Sequence, residues 1–360
     1  MTGTMDAALP VAAFEYELPP DRIARHPEPR RDGSRLLVMD PDRDAFGHLR
    51  FDRLDTLVRP GDLLVLNESR VLPARLLGRK PTGAPAEILL LRPLGSSGVA
   101  STRWEALVRP GSKLKPGRRV EVAEDLAVEI EDSTPGGGRV VRLVTDLTVP
   151  EALDRHGRMP LPPYLDREPD EADRERYQTV YARVPGSVAA PTAGLHFTPD
   201  LLGRLEASGV EVASIVLHVG VGTFRPVEVE DPAEHRMHME WYHIPLEAAD
   251  SIRSARSRGG RVWAVGTTVM RTLESAAEAG GQVRSGEGET NLFIRPPFDF
   301  RVVDALVTNF HLPRSTLLML VAAFGGYERT MDAYAEAIRS GYRFYSYGDA
   351  MAVLGTGSRR

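Results

Sequence analysis

The sequence of 360 residues contains no cysteine, and this absence removes several kinds of chemistry from consideration. Disulfides, thiolate metal sites, iron–sulfur clusters and a thiol nucleophile all require cysteine side chains. The chain also lacks a long apolar run, because its most apolar segment, 317–324, is far shorter than the roughly 20 residues that span a bilayer. The first 14 residues have neither a basic start nor a long apolar stretch. These absences predict a protein of the reducing cytoplasm without a membrane segment.

The charge is distributed unevenly along the chain. The formal net charge of -5 argues against a polyanionic partner when it is taken as a whole. Residues 68–150, however, contain 13 Lys or Arg and 10 Asp or Glu, so this segment carries +3 and the remainder carries -8. A polyanion would therefore bind the middle segment more favourably than the rest of the chain.

The patterning divides the chain into two domains. Residues 61–150 contain short apolar or alternating runs between Pro/Gly-rich turns, which is typical of an all-β barrel or sandwich. After residue 151, strands alternate with helices, which favours a largely parallel sheet. We therefore predict an α/β protein in which 1–60 and 151–360 form a larger mixed α/β domain with an inserted all-β, barrel-like domain at 61–150.

Three strand–loop–helix units stand out in the second part of the chain. They are strand 188–197 with a helix capped by Thr198, strand 261–265 with a turn at Gly266 and a helix at 269–279, and strand 305–310 with a helix at 316–324 capped by Ser315. Open α/β sheets bind ligands at the carboxyl ends of their strands, so the site is expected where these strands end.

The turn Gly266-Thr267-Thr268 is a candidate anion site. Backbone N–H groups at a helix N-terminus, together with two hydroxyl groups, favour a carboxylate or a phosphate. Arg271 follows on the same helix and adds a positive charge. Turns of this kind also occur in α/β proteins that bind nothing there, so a rigid structural turn is the alternative.

The stretch LHVGVGTFRPV at 217–227 places His218 and Phe224 among glycines and apolar residues. Glycines let a ligand or a second backbone approach a strand closely. His218 is a candidate for proton transfer, although a structural histidine among apolar neighbours has the same pattern. Phe224 is a candidate to stack on a base, with core packing as the alternative.

His235, His238 and Glu240 have a spacing that would present metal ligands on one face of a helix. The segment lacks an HExxH pattern and the chain lacks cysteine, so we predict no metal centre and activity that survives chelation. Solvated or substrate-orienting histidines are the alternative. Glu240 and Glu274 are further candidates for proton transfer, with helix or surface ion pairs as the alternative.

A basic run lies within the predicted β domain. Its side chains could share one face and contact RNA phosphates, with a solvated surface as the alternative. The run consists of Arg103, Arg109, Lys113, Lys115, Arg118 and Arg119.

Nine segments between Tyr16 and Leu354 are more informative in combination than any one of them. They are YELPPDRIARHPEPRRDGSRLLVMD, GDLLVLNESRVLPARLLGRK, RYQTVYA, AAPTAGLHFTPDLL, LHVGVGTFRPV, EHRMHME, AVGTTVMRTLES, ALVTNFHLPRSTLLML and YRFYSYGDAM. Together and in this order they resemble the S-adenosylmethionine:tRNA ribosyltransferase-isomerase family of queuosine biosynthesis.

The resemblance implies that S-adenosylmethionine donates its ribosyl carbons to tRNA that carries 7-aminomethyl-7-deazaguanine at the wobble position. The product would be epoxyqueuosine in tRNA, with adenine and methionine released. S-adenosylmethionine would be a cosubstrate, and no cofactor is implied. The chemistry needs a base for the proton beside the sulfonium, donors that help adenine to depart and groups that stabilise an alkoxide.

The resemblance also implies one cleft that brings these segments together. The expected catalytic residues are His196, His218 and His311, and the expected S-adenosylmethionine-binding residues are Gly266, Thr267, Thr268, Arg271 and Phe224. The expected tRNA-binding residues are Arg109, Lys113, Lys115, Arg118 and Arg119. A monomer is expected. Two other functions stay open, namely a related enzyme that modifies a different amine and a non-catalytic RNA-binding protein.

Overall fold

The computed structural model describes residues 9–95, 97–220, 227 and 229–355. The strands within these residues are β1 (Arg35–Met39), β2 (Gly47–Arg50), β3 (Leu63–Asn67), β4 (Ser69–Val71), β5 (Arg75–Arg79), β6 (Pro85–Pro93), β7 (Arg103–Arg109), β8 (Arg119–Ala123), β9 (Leu126–Ser133), β10 (Arg139–Thr145), β11 (Val184–Ser187), β12 (Glu211–Leu217), β13 (Glu240–Ile244), β14 (Val262–Val265), β15 (Gly286–Thr290), β16 (Ala305–Asn309) and β17 (Ala350–Leu354).

The α-helices within the same residues are α1 (Val149–His156), α2 (Asp173–Arg176), α3 (Pro199–Ala207), α4 (Leu246–Ser257), α5 (Thr267–Ser275), α6 (Thr316–Gly325) and α7 (Tyr327–Arg339). Short 3-10 helices occur at Val11–Phe14, Pro20–Arg22, Arg31–Gly33, Phe51–Thr56, Gly98–Ala100, Pro135–Gly137, Pro163–Leu165, Thr192–His196, Pro232–Glu234 and Ala279–Gly281. Over the described part of the chain, every helix falls short of the length and apolarity needed to cross a bilayer.

Nine strands form the main sheet, in the order β15-β13-β12-β3-β14-β16-β17-β1-β2. Its central strands β12, β3, β14 and β16 are parallel to one another. β13 is antiparallel to β12, and β17 is antiparallel to β16. β1 is parallel to β17, and β2 is antiparallel to β1. The prediction of a largely parallel sheet is therefore correct for the centre of the sheet, whereas its two sides contain antiparallel pairs.

Both faces of the main sheet are covered, because side chains alternate along each strand. In β3, Leu63 and Val65 pack in a core with residues of α4, α5, α6 and α7. Leu64 and Leu66 point the other way and pack with residues of α3 and of the 3-10 helix Thr192–His196. A strand that is buried on both faces is apolar at nearly every position, as β3 is from Leu63 to Leu66.

Six strands form a closed antiparallel barrel in the order β10-β7-β6-β5-β8-β9. Alternate side chains of these strands, such as Leu76, Ile88 and Trp104, fill its interior. Helix α1 covers the barrel with Val149 and Leu153. The prediction of a mixed α/β protein with a barrel-like all-β part is therefore confirmed.

Three details of the predicted organisation are wrong. The strand Leu63–Asn67 lies in the centre of the main sheet and not in the barrel. Helix α1 packs on the barrel although it extends beyond residue 150. Residues 188–197 do not form a strand, since β11 ends at Ser187 and a 3-10 helix occupies Thr192–His196. The predicted caps Thr198 and Ser315 do accept hydrogen bonds from the first turns of α3 and α6.

Candidate functional site

Five chain segments converge at one edge of the main sheet. Since β3, β12, β14 and β16 are parallel, the residues that follow them lie at the same edge. The antiparallel strand β13 begins at this edge with Glu240. The carboxyl edge of such a sheet is where ligands bind, because loops and helix N-termini meet there. The predicted histidines and the Gly266 turn all lie in this region.

The turn between β14 and α5 has the form that an anion site needs. Gly266 adopts a φ of +97°, a conformation that side-chain-bearing residues rarely adopt, and its N–H donates to the carbonyl of Val307 at 2.8 Å. The helix begins at Thr267 directly after it. Thr267 and Thr268 are buried, and the Thr268 hydroxyl has no hydrogen-bond partner among the described residues. A buried hydroxyl without a partner is energetically costly, so this group is available to a ligand.

Arg271 is buried and held by two protein groups. Its Nη1 donates to the carboxylate of Glu240, and its Nε donates to the carbonyl of Leu292 at 3.1 Å. The other oxygen of Glu240 accepts from the backbone N–H of Gly220 at 3.1 Å. Arg271 Nη2 is buried and has no partner within the described part of the chain. One donor nitrogen of this guanidinium, Nη2, therefore remains unused inside the site.

His218 follows β12 and is fixed on two sides. Its ring stacks on Trp241, with ring centroids 5.0 Å apart. The other side faces Gly186, where a Cβ atom would lie 2.5 Å from the imidazole. Burial lowers the pKa of His218 to about 4, so the ring is neutral at pH 7. Its Nδ1 is buried and has no hydrogen-bond partner in the described structure.

His196 has protein partners at both ring nitrogens. Nδ1 lies 2.7 Å from the Ser34 hydroxyl, and Nε2 lies 3.1 Å from Nδ2 of Asn309. Because an amide nitrogen only donates, Nε2 accepts and Nδ1 carries the proton. Burial, assisted by nearby Arg343 and Arg31, lowers the pKa of His196 to about 3. This histidine joins the 3-10 helix Thr192–His196 to the end of β16.

His311 is also buried, and it connects three elements. Its Nε2 lies 2.8 Å from the hydroxyl of Thr308, and its backbone N–H donates to the Tyr334 hydroxyl at 2.9 Å. Its carbonyl accepts from the hydroxyl of Tyr16. Burial lowers the pKa of His311 to about 3. The three predicted histidines therefore lie at the same sheet edge, but they differ in which ring nitrogens are hydrogen-bonded to protein groups.

Two asparagines belong to this site although their roles were not predicted. Asn67 donates to the carbonyl of Leu217 at 3.0 Å and accepts from the N–H groups of Leu217 and Ser69, both at 3.1 Å. It thus fixes the ends of β3 and β12 relative to each other. Asn309 holds His196 and donates to the carbonyl of Tyr345 at 3.0 Å. Both asparagines are the polar last residue of an otherwise largely apolar strand, which is the sequence pattern that could have indicated them.

The remaining predicted residues have other positions. His235 and His238 lie outside any helix, in the segment before β13, so the helical spacing that suggested metal ligands is wrong. Glu274 accepts from the backbone N–H groups of 301–303 at 2.8–3.0 Å, which is a structural role. Phe224 lies outside the described residues.

A basic loop at 110–118 connects β7 and β8. Its conformation is fixed by Arg139, which donates to the carbonyls of Gly111 at 2.9 Å and Leu114 at 2.8 Å. Four exposed cations on and beside the loop have no acidic partner among the described residues: Arg109, Lys113, Lys115 and Arg118. Arg119 differs from them, because it is paired with Glu121 at 2.7 Å and Glu129 at 3.0 Å.

The basic loop is at the far end of the barrel. The end of the barrel nearer the main sheet is the end where the chain enters and leaves the barrel. The chain enters at Arg75, the first residue of β5, whose backbone N–H donates to the carbonyl of Arg158, just after α1, at 3.2 Å. β5 and β7 are both antiparallel to β6, so they run in the same direction. β7 therefore ends at Arg109 on the side away from the main sheet. The four unpaired cations do not line the cleft.

Comparisons with known proteins agree on one family. A family model described as queuosine biosynthesis protein matches residues 11–353. Relatives named S-adenosylmethionine:tRNA ribosyltransferase-isomerase from Pelotomaculum thermopropionicum and Symbiobacterium thermophilum are 54% and 53% identical over 343 residues, which is 95% of this chain and 98% of each relative. The crystal structure of an S-adenosylmethionine tRNA ribosyltransferase from Thermotoga maritima matches with a TM-score of 0.54 and 40% identity, over 95% of this chain and 100% of that one.

Proposed function

The chain belongs to the family of queuosine biosynthesis proteins, and from this membership we propose that it is an S-adenosylmethionine:tRNA ribosyltransferase-isomerase. The donor is S-adenosylmethionine, which is consumed as a cosubstrate without a further cofactor. The acceptor is the 7-aminomethyl-7-deazaguanine of tRNA. The ribosyl carbons become the epoxide-bearing ring of epoxyqueuosine, and adenine and methionine leave.

One observation carries this proposal beyond the family resemblance. A neutral imidazole and a set of unused donors occur at the same sheet edge. The imidazole is His218, whose Nδ1 has no partner among the described residues. The donors are the Thr268 hydroxyl and Arg271 Nη2. A proton acceptor at the same sheet edge as an anion site suits a reaction that begins at the carbon next to a sulfonium and releases adenine and methionine.

His218 is the best of the three histidines for the proton transfer. His196 has both nitrogens engaged, and His311 uses Nε2 on Thr308. His218 combines a free nitrogen with a ring that Trp241 and Gly186 hold in place. In our proposal its Nδ1 takes the proton from the ribosyl carbon beside the sulfonium, while His196 and His311 position the loops around the cleft.

The basic loop supplies a binding site for the tRNA backbone. Exposed cations without acidic partners attract phosphates, whatever the nucleotide sequence. Because the loop lies at the far end of the barrel, it would contact tRNA away from the reacting base. The main sheet then holds the base and the donor, and the barrel holds the backbone.

The test is an incubation of the protein with S-adenosylmethionine and tRNA that carries 7-aminomethyl-7-deazaguanine. We expect one adenine and one methionine for each modified base, and none with tRNA that has unmodified guanine there. Adenine release with a small amine and without tRNA would identify a related enzyme with another acceptor. Binding of tRNA without any release would identify a non-catalytic RNA-binding protein.

His218→Gln separates catalysis from binding. It should slow adenine release at least about a hundredfold, which is the usual contribution of a positioned base, and leave the affinity for S-adenosylmethionine within about threefold. His48→Gln is the matched control, since His48 lies on β2 at the opposite side of the sheet. Equal effects of the two substitutions would refute the role of His218.

A further inference from the structure

We propose that Arg271 and Glu240 form a subsite for the α-amino-carboxylate end of S-adenosylmethionine, with Arg271 binding the carboxylate and Glu240 attracting the ammonium group. This inference rests on the proposed function, which names the ligand but not the groups that recognise it. The ligand class is a zwitterionic amino acid, not a simple anion.

The guanidinium of Arg271 is held in one orientation by protein groups. Glu240 and the carbonyl of Leu292 take two of its donors and thereby fix the plane of the guanidinium. Nη2 is buried in this fixed plane without a partner among the described residues. A planar guanidinium suits a carboxylate because its donors match the two oxygens in geometry. An oriented and unused donor of this kind is prepared for an acceptor that the protein itself does not provide.

A second donor without a partner among the described residues lies on the same helix as Arg271. Thr268 and Arg271 are three residues apart in α5, so they share one face of the helix. The Thr268 hydroxyl is buried and also lacks a partner in the described structure. Both groups lie near the positive end of the helix dipole, which favours a negative charge. Two buried, unpartnered donors on one face point to a single acceptor group.

The negative charge of Glu240 beside Arg271 distinguishes a phosphate from an amino acid. Glu240 is buried next to Arg271, so the pair is close to neutral as a whole. A phosphate would meet the carboxylate of Glu240 at close range, and like charges in a buried site repel strongly. A zwitterion avoids this repulsion, because its ammonium group is attracted to Glu240 while its carboxylate is attracted to Arg271. The geometry therefore favours the amino-acid end of the donor over a phosphate of tRNA.

The experiment compares two thioethers by calorimetry. S-adenosylhomocysteine and 5′-methylthioadenosine share the nucleoside and differ by the amino-acid end. The wild-type protein should bind S-adenosylhomocysteine at least about tenfold more tightly, since hydrogen bonds to charged groups are strong. Equal affinity of the wild-type protein for both compounds would overturn the proposal. This comparison needs no variant and therefore does not depend on how a substitution affects folding.

Variants then assign the difference to the two residues. Removal of Arg271 alone would leave Glu240 as a buried, uncompensated charge and destabilise the fold. The double variant Arg271→Met with Glu240→Gln removes both charges. It should bind the two thioethers with affinities within about threefold of each other, and its affinity for 5′-methylthioadenosine should match the wild type. Preserved discrimination in this variant would overturn the proposal.

Thr268→Val gives a second, milder test, because it disturbs no ion pair. It should weaken binding of S-adenosylhomocysteine about tenfold and leave 5′-methylthioadenosine unaffected. An equal loss for both compounds would contradict the subsite. Adenine release by the wild-type protein with modified tRNA is measured in parallel. If the wild-type protein releases adenine but binds the two thioethers equally, only the subsite is refuted. If it releases no adenine, the proposed function is refuted.

Discussion

Neutralisation of the basic loop should weaken tRNA binding and make the affinity depend less on salt concentration. The change is Lys113→Gln, Lys115→Gln and Arg118→Gln in one protein. These side chains are exposed and without acidic partners among the described residues, so each is free to contact a phosphate. Arg139 holds the loop backbone from outside the substituted positions. The substitutions should therefore remove charge without changing the fold of the barrel.

The magnitude follows from counterion release. Each phosphate contact contributes about 0.7 to 0.9 to the slope of log affinity against log salt. Four contacts, including Arg109, make binding about 50- to 150-fold weaker when salt rises from about 50 to 200 mM. With one contact left, the same change weakens the contribution of the loop only about threefold. The triple variant should thus show a slope that is smaller by about 2 to 3 units.

The assay is fluorescence anisotropy of labelled tRNA over a series of salt concentrations. Calorimetry with S-adenosylmethionine should show no change, because the loop lies at the far end of the barrel. The control is Arg92→Gln with Glu105→Gln, which removes an exposed ion pair of 2.6 Å on the barrel and keeps the net charge constant. A triple variant with the same slope and low-salt affinity as this control would show that the loop is only a solvated surface.

Three further predictions concern the cleft, the loop and the buried histidines. Thr267→Val with Thr268→Val should weaken S-adenosylmethionine binding at least about tenfold and leave tRNA binding unchanged in calorimetry; a loss confined to tRNA would assign the turn to a phosphate. Arg139→Gln should release the loop and weaken tRNA binding with little change in the salt slope, since no phosphate contact is removed; a change of a full unit would contradict this. Burial lowers the pKa of His196 and His311 to about 3, so below about pH 6.5 the unfolded chain binds protons that the folded chain does not. The free energy of unfolding should therefore fall from pH 6.5 towards pH 4 in urea titrations, and less steeply in His196→Gln; an identical slope would refute the assignment.

The barrel and the helix starts could be predicted because their causes are local. Alternation of apolar residues and Pro/Gly turns is set by neighbours in the chain, and the caps Thr198 and Ser315 act within one helical turn. Strand β3 could not be placed in the same way. Its run Leu63–Asn67 is apolar at nearly every position, which fits either a barrel strand or a strand covered on both faces. Only its partners β12 and β14, far along the chain, decide between the two.

The candidate site was predictable in its residue types and not in its contacts. The threonines and Arg271 could be predicted from a strand end, because the carboxyl edge of a sheet is a general binding position, and His218 from the glycines beside it. The partner of Arg271 was not found. Glu240 is 31 residues away in sequence and was grouped with His235 and His238, since spacing within a segment carries no information about contacts between segments. The roles of Asn67 and Asn309 depend on long-range contacts in the same way.

The position of β3 has a consequence for synthesis on the ribosome. β3 leaves the ribosome before any barrel strand, yet its neighbours β12 and β14 follow only at 211–217 and 262–265. All six barrel strands and the helix α1 that covers them precede residue 157, so the barrel has its own contacts before β12 is synthesised. The apolar strand β3 therefore lacks its neighbours in the main sheet until residues 211–217 and 262–265 have been translated. During that interval β3, like β1 whose neighbour β17 lies at 350–354, is an apolar segment that a chaperone would bind, and slow translation after residue 145 would prolong its exposure.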